Sequence, residues 1–146
     1  MDYKVFKRRI NYYETDKMQV VHHSNYIRFL EECRMDFMRQ IGFDYELLEQ
    51  AGIMIPVLSV SCNYRTPAKF GEIISIVPKL EKFHGVKFEM SYNIYNEDLT
   101  ELHNDASSSH CFVDFDFKPV RINKEMPKLC EILKDIVGVD LVKFPD

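Results

Sequence analysis

The sequence predicts an α+β fold in which an antiparallel sheet wraps around one long central helix. Apolar residues recur at steps of three and four in residues 26–41, which is the spacing of one helix face. Across residues 58–95 the apolar spacing changes to two, which is typical of strands with one buried face. The segments between these later strands are short, so they suit antiparallel turns rather than the crossovers of a parallel sheet.

The first predicted elements are a strand and a polar loop. Residues 3–12 combine aromatic and charged side chains and are predicted as a strand, whereas the polar residues 13–19 suit a loop. Ser24 or Asn25 then supplies a side chain that can cap the free amides at the start of a helix.

The long helix carries one apolar stripe along its length. Polar side chains such as Arg28 and Glu32 occupy the opposite side, and Gly42 stands where a helix commonly ends. About sixteen residues at 1.5 Å per residue give ~24 Å, which is enough to lie across a sheet. The stripe consists of Tyr26, Leu30, Cys33, Phe37 and Ile41, with Phe29 beside it.

A second helix, four strands and a last helix follow. Residues 44–51 are predicted as a short helix closed by Gly52, and residues 126–137 as a C-terminal helix. The strands between them are predicted to form a meander, and Pro78 indicates an edge or a bulge in the second one. The strands are predicted at 58–65, 72–83, 86–95 and 101–117, and the first is expected to bury Leu58, Val60, Cys62 and Tyr64.

Length and charge limit the class of protein. The 146 residues are expected to form a single domain over 1–146. The 19 basic and 23 acidic residues give a net charge of −4 and form no basic stripe, which argues against a nucleic-acid partner. No segment approaches the ~20 apolar residues of a membrane span, so none is predicted.

The cysteines and glycines argue against bound metals and nucleotide cofactors. The four cysteines form no C-x-x-C pair, which argues against a structural zinc site. Together with the lack of an apolar run of signal-peptide length in residues 1–9 and of a membrane span, this favours a reduced, cytoplasmic protein. The five glycines are too dispersed for a phosphate-binding loop. His110, Asp114 and Asp116 would share one face of the last strand, where a polar outer face is favoured over a metal site. No metal and no cofactor are predicted.

A carboxylate placed just before the long helix suggests carbonyl chemistry. Asp16 lies in the loop that leads to the helix start, where free amides form a positive dipole end that can stabilise an oxyanion. An aspartate facing that point could attack a carbonyl carbon or activate water. The alternative is that Asp16 only caps a turn, and the local sequence alone favours this alternative.

A family resemblance changes that balance. Residues 13–31, from Tyr13-Glu14-Thr15-Asp16 to Phe29-Leu30-Glu31, strongly resemble the signature of hotdog-fold acyl-CoA thioesterases. The chain is most similar to the 4-hydroxybenzoyl-CoA thioesterase group and its Tol-Pal-associated branch. The likeness continues in residues 55–57, 64–72, 88–96 and 109–114, so it covers nearly the whole chain. It implies a hotdog fold, which agrees with the predicted helix and sheet.

The resemblance also implies a role for particular residues in a thioesterase that acts on acyl-CoA, or on a carrier-protein thioester with the same pantetheine arm. Asp16 corresponds to the catalytic nucleophile or general base, and His23 supplies a backbone N–H that polarises the thioester carbonyl. The implied substrate-binding residues are Val21, Asn25 and Tyr26 in the pocket and Arg65 and Lys69 at the phosphates of coenzyme A.

In this family the site lies between subunits, which implies a homodimer or a homotetramer. Residues near 57–62 would then face Asp16 of a neighbouring subunit. A site of this kind is built from two copies of the chain.

One departure from the family pattern keeps two alternatives open. Gln19 stands where the family usually has glycine, a residue that permits positive φ. A non-catalytic acyl-CoA-binding protein is therefore one alternative. The other is a hotdog dehydratase, in which His23 would act with Glu31 or Glu32.

Overall fold

One long helix and one antiparallel sheet make up most of the structure, a computed structural model that describes residues 1–145. The sheet has five strands in the order β1-β3-β4-β5-β2, which confirms the α+β prediction. The elements are β1 (Phe6–Arg9), a 3₁₀ turn (Tyr12–Glu14), α1 (Ser24–Gln40), α2 (Tyr45–Gln50), β2 (Val57–Tyr64), β3 (Ile73–Phe83), β4 (Lys87–Asn96), β5 (Leu102–Cys111), α3 (Ile122–Glu125) and α4 (Pro127–Ile136).

Helix α1 forms the core together with the inner face of the sheet. Every residue of its predicted apolar stripe is buried, and the inner residues of β3 and β4 are buried against it. Each large apolar side chain that is removed from water contributes about 1.5–3 kcal/mol, so this layer supplies much of the folding free energy. The buried sheet residues include Ile74, Ile76, Leu80, Phe88, Met90, Tyr92 and Ile94.

The strand order corrects the predicted meander. Only β3, β4 and β5 follow one another as neighbours, because β2 pairs with β5 and not with β3. Residues 65–72 therefore cross the end of the sheet. Three strand spacings amount to about 14 Å. Eight extended residues reach about 26 Å, so a short segment is long enough for this crossing.

The first and last strands are shorter than predicted. The strand predicted at 3–12 is limited to Phe6–Arg9, because Tyr3 packs into the core beside Phe37 and Asn11 begins the 3₁₀ turn. The strand predicted at 101–117 ends at Cys111, because Asp114 Oδ1 accepts the amides of Asp116 and Lys118 in a turn.

The end of β5 also corrects the predicted polar face. His110 is buried, Asp114 caps the turn and Asp116 is exposed, so the three side chains do not share one strand face. His110 Nε2 lies 2.7 Å from Ser108 Oγ, and burial lowers the pKa of His110 to about 3. The histidine is therefore neutral and belongs to the core.

Pro78 lies where β3 has no neighbour on the β1 side. The pairing between β1 and β3 stops at Ile76, and the register with β4 shifts between Leu80 and Lys82. Of the two alternatives predicted for this proline, the edge is confirmed, whereas the bulge lies at Glu81 and Pro78 itself pairs in register with Tyr92. Within residues 1–145, no helix combines the length and apolar character needed to cross a bilayer.

Strand β2 does not bury its apolar face. Leu58 is 50% exposed, Val60 38% and Tyr64 53%, and we call these three residues the β2 strip. The alternation along the strand is as predicted, but the predicted burial is wrong for the single chain. Strand β2 is an edge strand, and α1 covers its inner face only in part, through the contact of Tyr26 with Tyr64.

A buried ion pair ties β1 to the 3₁₀ turn and to α1. Arg8 Nη1 and Nη2 donate to the two carboxylate oxygens of Glu14 at 2.7 and 2.9 Å, and Arg8 Nε donates to Glu32 Oε1 at 2.8 Å. The guanidinium also lies 4.2 Å from the ring centre of Phe29. Burial alone would raise the pKa of Glu14, but the hydrogen bonds from Arg8 and Asn11 outweigh it and hold that pKa below its usual range.

This ion pair predicts a loss of stability in acid. Because the pKa of Glu14 is lowered by folding, its contribution is present above the unfolded pKa of about 4.3 and is lost as pH falls through the folded value. We expect Glu14→Gln to cost about 1–3 kcal/mol at pH 7 and to flatten the pH dependence of the unfolding free energy below about pH 4.5. Urea unfolding from pH 3 to 7 measures both effects.

Glu89 provides the control for this measurement, because its ion pair with Lys82 lies at the surface. We expect Glu89→Gln to change the unfolding free energy by less than about 1 kcal/mol. An acid slope in Glu14→Gln as steep as in the wild type would contradict the assignment to Glu14.

Candidate active site

Residues 15–21 form a tight loop that presents Asp16 beside the start of α1. Thr15 pairs with Val21, and the Asp16 amide donates to the Val20 carbonyl at 2.9 Å. Asp16 Oδ1 accepts the Met18 amide at 2.8 Å, whereas Oδ2 accepts no hydrogen bond from residues 1–145. One oxygen of the carboxylate thus caps the turn, and the other is available to a ligand.

Gln19 adopts the backbone conformation that its position requires. Its φ is +62°, which lies in the left-handed region that favours glycine. Its carbonyl accepts the Phe70 amide at 3.0 Å, and its side chain is exposed. The substitution of glutamine for glycine therefore leaves the loop backbone in place and adds a side chain at the surface.

The start of α1 leaves one amide without a partner. The amides of His22 and Asn25 donate to Glu14 O and His22 O, each at 2.9 Å, and the Ser24 amide donates to His22 Nδ1 at 3.2 Å. The structure shows no acceptor among residues 1–145 for the His23 amide. This donor lies at the positive end of a 17-residue helix, where backbone amides are suited to bind negative charge.

The carbonyl of Glu14 joins the Asp16 loop to the helix start. It accepts both the His22 amide and Asn25 Nδ2, the latter at 2.8 Å. Asn25 was predicted to line the pocket, but here its side chain holds the backbone of the turn. Arg8 and Glu14 are not among the site residues predicted from the sequence, although Asn11 and Glu14 show the three-residue spacing of a capping box.

Aromatic side chains stand beside the His23 amide. The Tyr64 ring lies 5.5 Å from that of Tyr26 and 6.3 Å from that of His23, and Tyr64 Oη lies 3.5 Å from the His23 carbonyl oxygen. Tyr26 is buried, and its hydroxyl oxygen is 3.4 Å from the Ala68 amide. We call the rings of Tyr26 and Tyr64 the aromatic wall. Val21 is also buried and donates its amide to the Ala68 carbonyl.

The two predicted phosphate contacts lie in different surroundings. Lys69 is exposed and pairs through its backbone with Val20, so it adjoins the Asp16 loop. Arg65 Nε donates to Asp105 Oδ2 at 2.6 Å on the outer face of the sheet, and this bond holds the pKa of Asp105 below its usual range. The geometry brings Lys69 near Asp16 and engages Arg65 elsewhere.

The carboxylates that a dehydratase would need are already engaged. Glu31 pairs with Arg34 at 2.7 Å, and Glu32 pairs with Arg8. The His23 ring stacks on His22 with ring centres 4.3 Å apart. The structure pairs neither glutamate with His23. Asp16, in contrast, lies in the loop that leads directly to the His23 amide.

Known proteins share this fold and much of this sequence. The chain is 35% identical over 119 residues to the Bacillus subtilis protein named "Putative acyl-CoA thioesterase YneP", over 81% of this chain and 86% of that protein. It is 24% identical over 118 residues to the acyl-CoA thioester hydrolase YbgC of Escherichia coli O6:H1, over 81% of this chain and 88% of that protein. The solved structure of the DHNA-CoA thioesterase from Staphylococcus aureus matches with a TM-score of 0.86 and 31% identity, over 93% of this chain and 91% of that one.

A family model extends the match along most of the sequence. The model of the thioesterase-like superfamily matches residues 10–137, which include the Asp16 loop, α1 and all of β2 to β5. The hotdog fold expected from residues 13–31 is confirmed by the sheet and its neighbours among solved structures. The chain belongs to the thioesterase-like superfamily and is a thioester hydrolase of the hotdog fold.

Proposed function

We propose that the protein hydrolyses the thioester bond of an acyl-CoA to a free acid and coenzyme A, with Asp16 and the His23 amide as the reacting groups. The observation that carries this proposal is that Asp16 Oδ2 and the His23 amide, separated by only six residues at the start of α1, both lack hydrogen-bond partners among residues 1–145. The names of the Bacillus subtilis and Escherichia coli relatives support an acyl-CoA substrate.

The proposed reaction needs few groups from the protein. Asp16 takes a proton from water as the water attacks the carbonyl carbon, or attacks that carbon itself to form an anhydride that water then opens. The negative charge on the carbonyl oxygen is stabilised by the His23 N–H. The C–S bond then breaks, and the thiolate leaves readily because thiols ionise near a pKa of about 8.5. Lys69 is placed to attract the phosphates of coenzyme A, and a carrier-protein thioester would present the same reacting atoms.

A second copy of the chain is part of this proposal. Strand β2 offers an unpaired backbone edge and the exposed β2 strip, and such edges are usually covered in native proteins. A copy that covers this strip would bring its own Asp16 near residues 57–62, as the family resemblance implies. We propose a homodimer as the minimal unit, with a homotetramer built from two such dimers.

The proposed location is a reducing compartment such as the cytoplasm. The four cysteines Cys33, Cys62, Cys111 and Cys130 are all free thiols in the structure. Disulfides form and persist mainly in oxidising compartments, so free cysteines support a reducing one.

Replacement of Asp16 tests the carboxylate. Asp16→Asn retains an oxygen that can accept the Met18 amide, so we expect the fold to be preserved. We expect turnover, measured as thiol release from a panel of short, long and aromatic acyl-CoAs, to fall about 10²–10⁴-fold while binding is retained. Turnover within about twofold of the wild type would exclude Asp16 as the reacting group.

Two substitutions of His23 separate its amide from its ring. The residue has φ −54°, which proline can adopt, so His23→Pro removes the N–H with little change to φ at this position. We expect His23→Pro to lower kcat about 10²–10³-fold and His23→Ala, which keeps the amide, to lower it less than about fivefold. Equal losses in the two variants, with unchanged thermal unfolding, would contradict the role of the amide.

Gln19 tests whether the missing glycine has abolished activity. Because a non-glycine residue in the left-handed region costs about 1–2 kcal/mol, we expect Gln19→Gly to raise the unfolding free energy by about 0.5–1 kcal/mol after the entropy of glycine is included. Thiol release should stay within about threefold, since the backbone already has the glycine conformation. A wild type without turnover and a Gln19→Gly variant with turnover would instead support a binding protein.

A charge in the β2 strip tests the assembly. Val60→Asp places a carboxylate on the uncovered face of β2, where burial against a second copy would be costly. We expect sedimentation to show dimers or larger assemblies for the wild type and a shift toward monomer for Val60→Asp, with a parallel loss of thiol release. Ser61→Asp, on the opposite face of the same strand, is the matched control. A monomeric wild type with full activity would refute the assembly.

A further inference from the structure

Strand β5 contains a bulge next to the candidate active site. Ile94 pairs with Asn104 and Tyr95 with Leu102, so His103 is an extra residue in β5. The side chains of His103 and Asn104 are both buried although the two residues are consecutive. A bulge commonly re-aims side chains in this way, and bulges are frequent beside active sites.

The two buried side chains differ in their hydrogen bonding. His103 Nε2 lies 2.8 Å from Glu72 Oε1, and His103 Nδ1 lies 3.0 Å from Thr66 Oγ1. Asn104 is 0% exposed, and neither Oδ1 nor Nδ2 has a partner among residues 1–145. A buried amide that lacks partners costs stability, so its presence calls for a reason outside the free chain.

The surroundings of Asn104 connect it to the candidate active site. Its direct cross-strand partner is Tyr64 of β2, whose side chain projects from the same side of the sheet. Tyr64 adjoins Tyr26 and His23, half of its side chain is exposed, and its hydroxyl makes only one long bond of 3.5 Å. The unpaired amide of Asn104 thus lies next to the aromatic wall at the start of α1. The Tyr64 side chain that adjoins it is held by one long hydrogen bond and by ring contacts.

We infer that Asn104 is a specificity-determining residue that binds a hydroxyl group on the acyl part of the substrate. The inference rests on the proposed function, because it places the acyl group beside the wall formed by Tyr26 and Tyr64. A hydroxyl both donates and accepts, so it matches an amide whose Nδ2 and Oδ1 are both free. The substrate reaches Asn104 when the Tyr64 side chain rotates away from the Asn104 amide.

The buried position of Asn104 assigns the contact to the acyl group rather than to the pantetheine arm. The arm leads to the phosphates of coenzyme A, which must remain near the exposed surface where Lys69 lies. The acyl group is the part that enters the protein. A site built to bind a hydroxyl discriminates strongly against the analogue that lacks it, because the polar groups of the protein are then left unpaired.

Matched pairs of substrates test this assignment. We would compare benzoyl-CoA with its three hydroxybenzoyl isomers, and butyryl-CoA with 3-hydroxybutyryl-CoA, in the wild type and in Asn104→Leu. We expect the wild type to prefer at least one hydroxylated member in kcat/KM. We expect Asn104→Leu to reduce that preference about tenfold, because kcat/KM falls more for the hydroxylated member than for the unsubstituted one.

Thermal stability provides a second readout, because Asn104→Leu should lose substrate preference without losing stability. Because Asn104→Leu removes buried polar atoms that have no partner, we expect its Tm to equal or exceed that of the wild type, by up to about 4 °C. Ser75→Ala is the control, since Ser75 is also wholly buried but donates to the Glu97 carbonyl. It should lower Tm and leave the substrate preference unchanged. If Asn104→Leu does not fold, Asn104→Ala serves in its place.

Three outcomes would overturn the inference. One is an unchanged preference in the variant, and another is an equal loss for hydroxylated and unsubstituted acyl groups, which would move the contact to the pantetheine arm. The third is a wild type that prefers no hydroxylated member. Calorimetry with thioether analogues of the same pairs gives the preference without turnover, so failure of the proposed hydrolysis and failure of the Asn104 assignment are distinguishable.

Discussion

Helix α1, with a contribution from α4 against β3, has to cover the inner face of a five-stranded sheet, and the rest of the structure follows from how far that cover extends. Helix α1 buries the inner residues of β3 and β4 and the adjoining face of β5, and it covers β2 only in part. The covered part is an ordinary apolar core. The β2 strip, the aromatic wall and Asn104 lie at the partly covered side of the sheet. The edge of the core is therefore the proposed meeting place of the ligand and a second chain.

The start of α1 is held in place by polar contacts as well as by the apolar packing of Tyr26 and Phe29. The carboxylate of Glu14 binds Arg8, and its carbonyl binds the His22 amide and Asn25. These bonds fix the backbone on both sides of the Asp16 loop without using Asp16 Oδ2 or the His23 amide. Such an arrangement would keep the two proposed reacting groups oriented before a substrate arrives, which lowers the reorganisation that the proposed reaction must include.

Local patterns in the sequence predicted the elements whose neighbours lie close in the chain. The stripe of α1 and the alternation of β4 depend on their own spacing, and both are buried as expected. The exposure of β2 and its place beside β5 depend on which distant strand it meets, and strand spacing alone carries no such information. The candidate site was predictable around Asp16 and His23 because residues 13–31 resemble a known signature. The pair of Arg8 with Glu14 and the bulge at Asn104 arise from register, which the sequence does not display.

In the proposed assembly through β2, the stability of the fold depends on the concentration of the protein. A strand with unpaired backbone groups and exposed apolar side chains associates with other chains when it is not covered. Any contact made only by the folded state stabilises that state by mass action, so the midpoint of thermal unfolding depends on how much protein is present. A newly made chain that has not met a partner is then the form most exposed to aggregation and proteolysis. In the proposed assembly, β2 joins two copies at high concentration, and the same strand leaves the single chain exposed to proteolysis at low concentration.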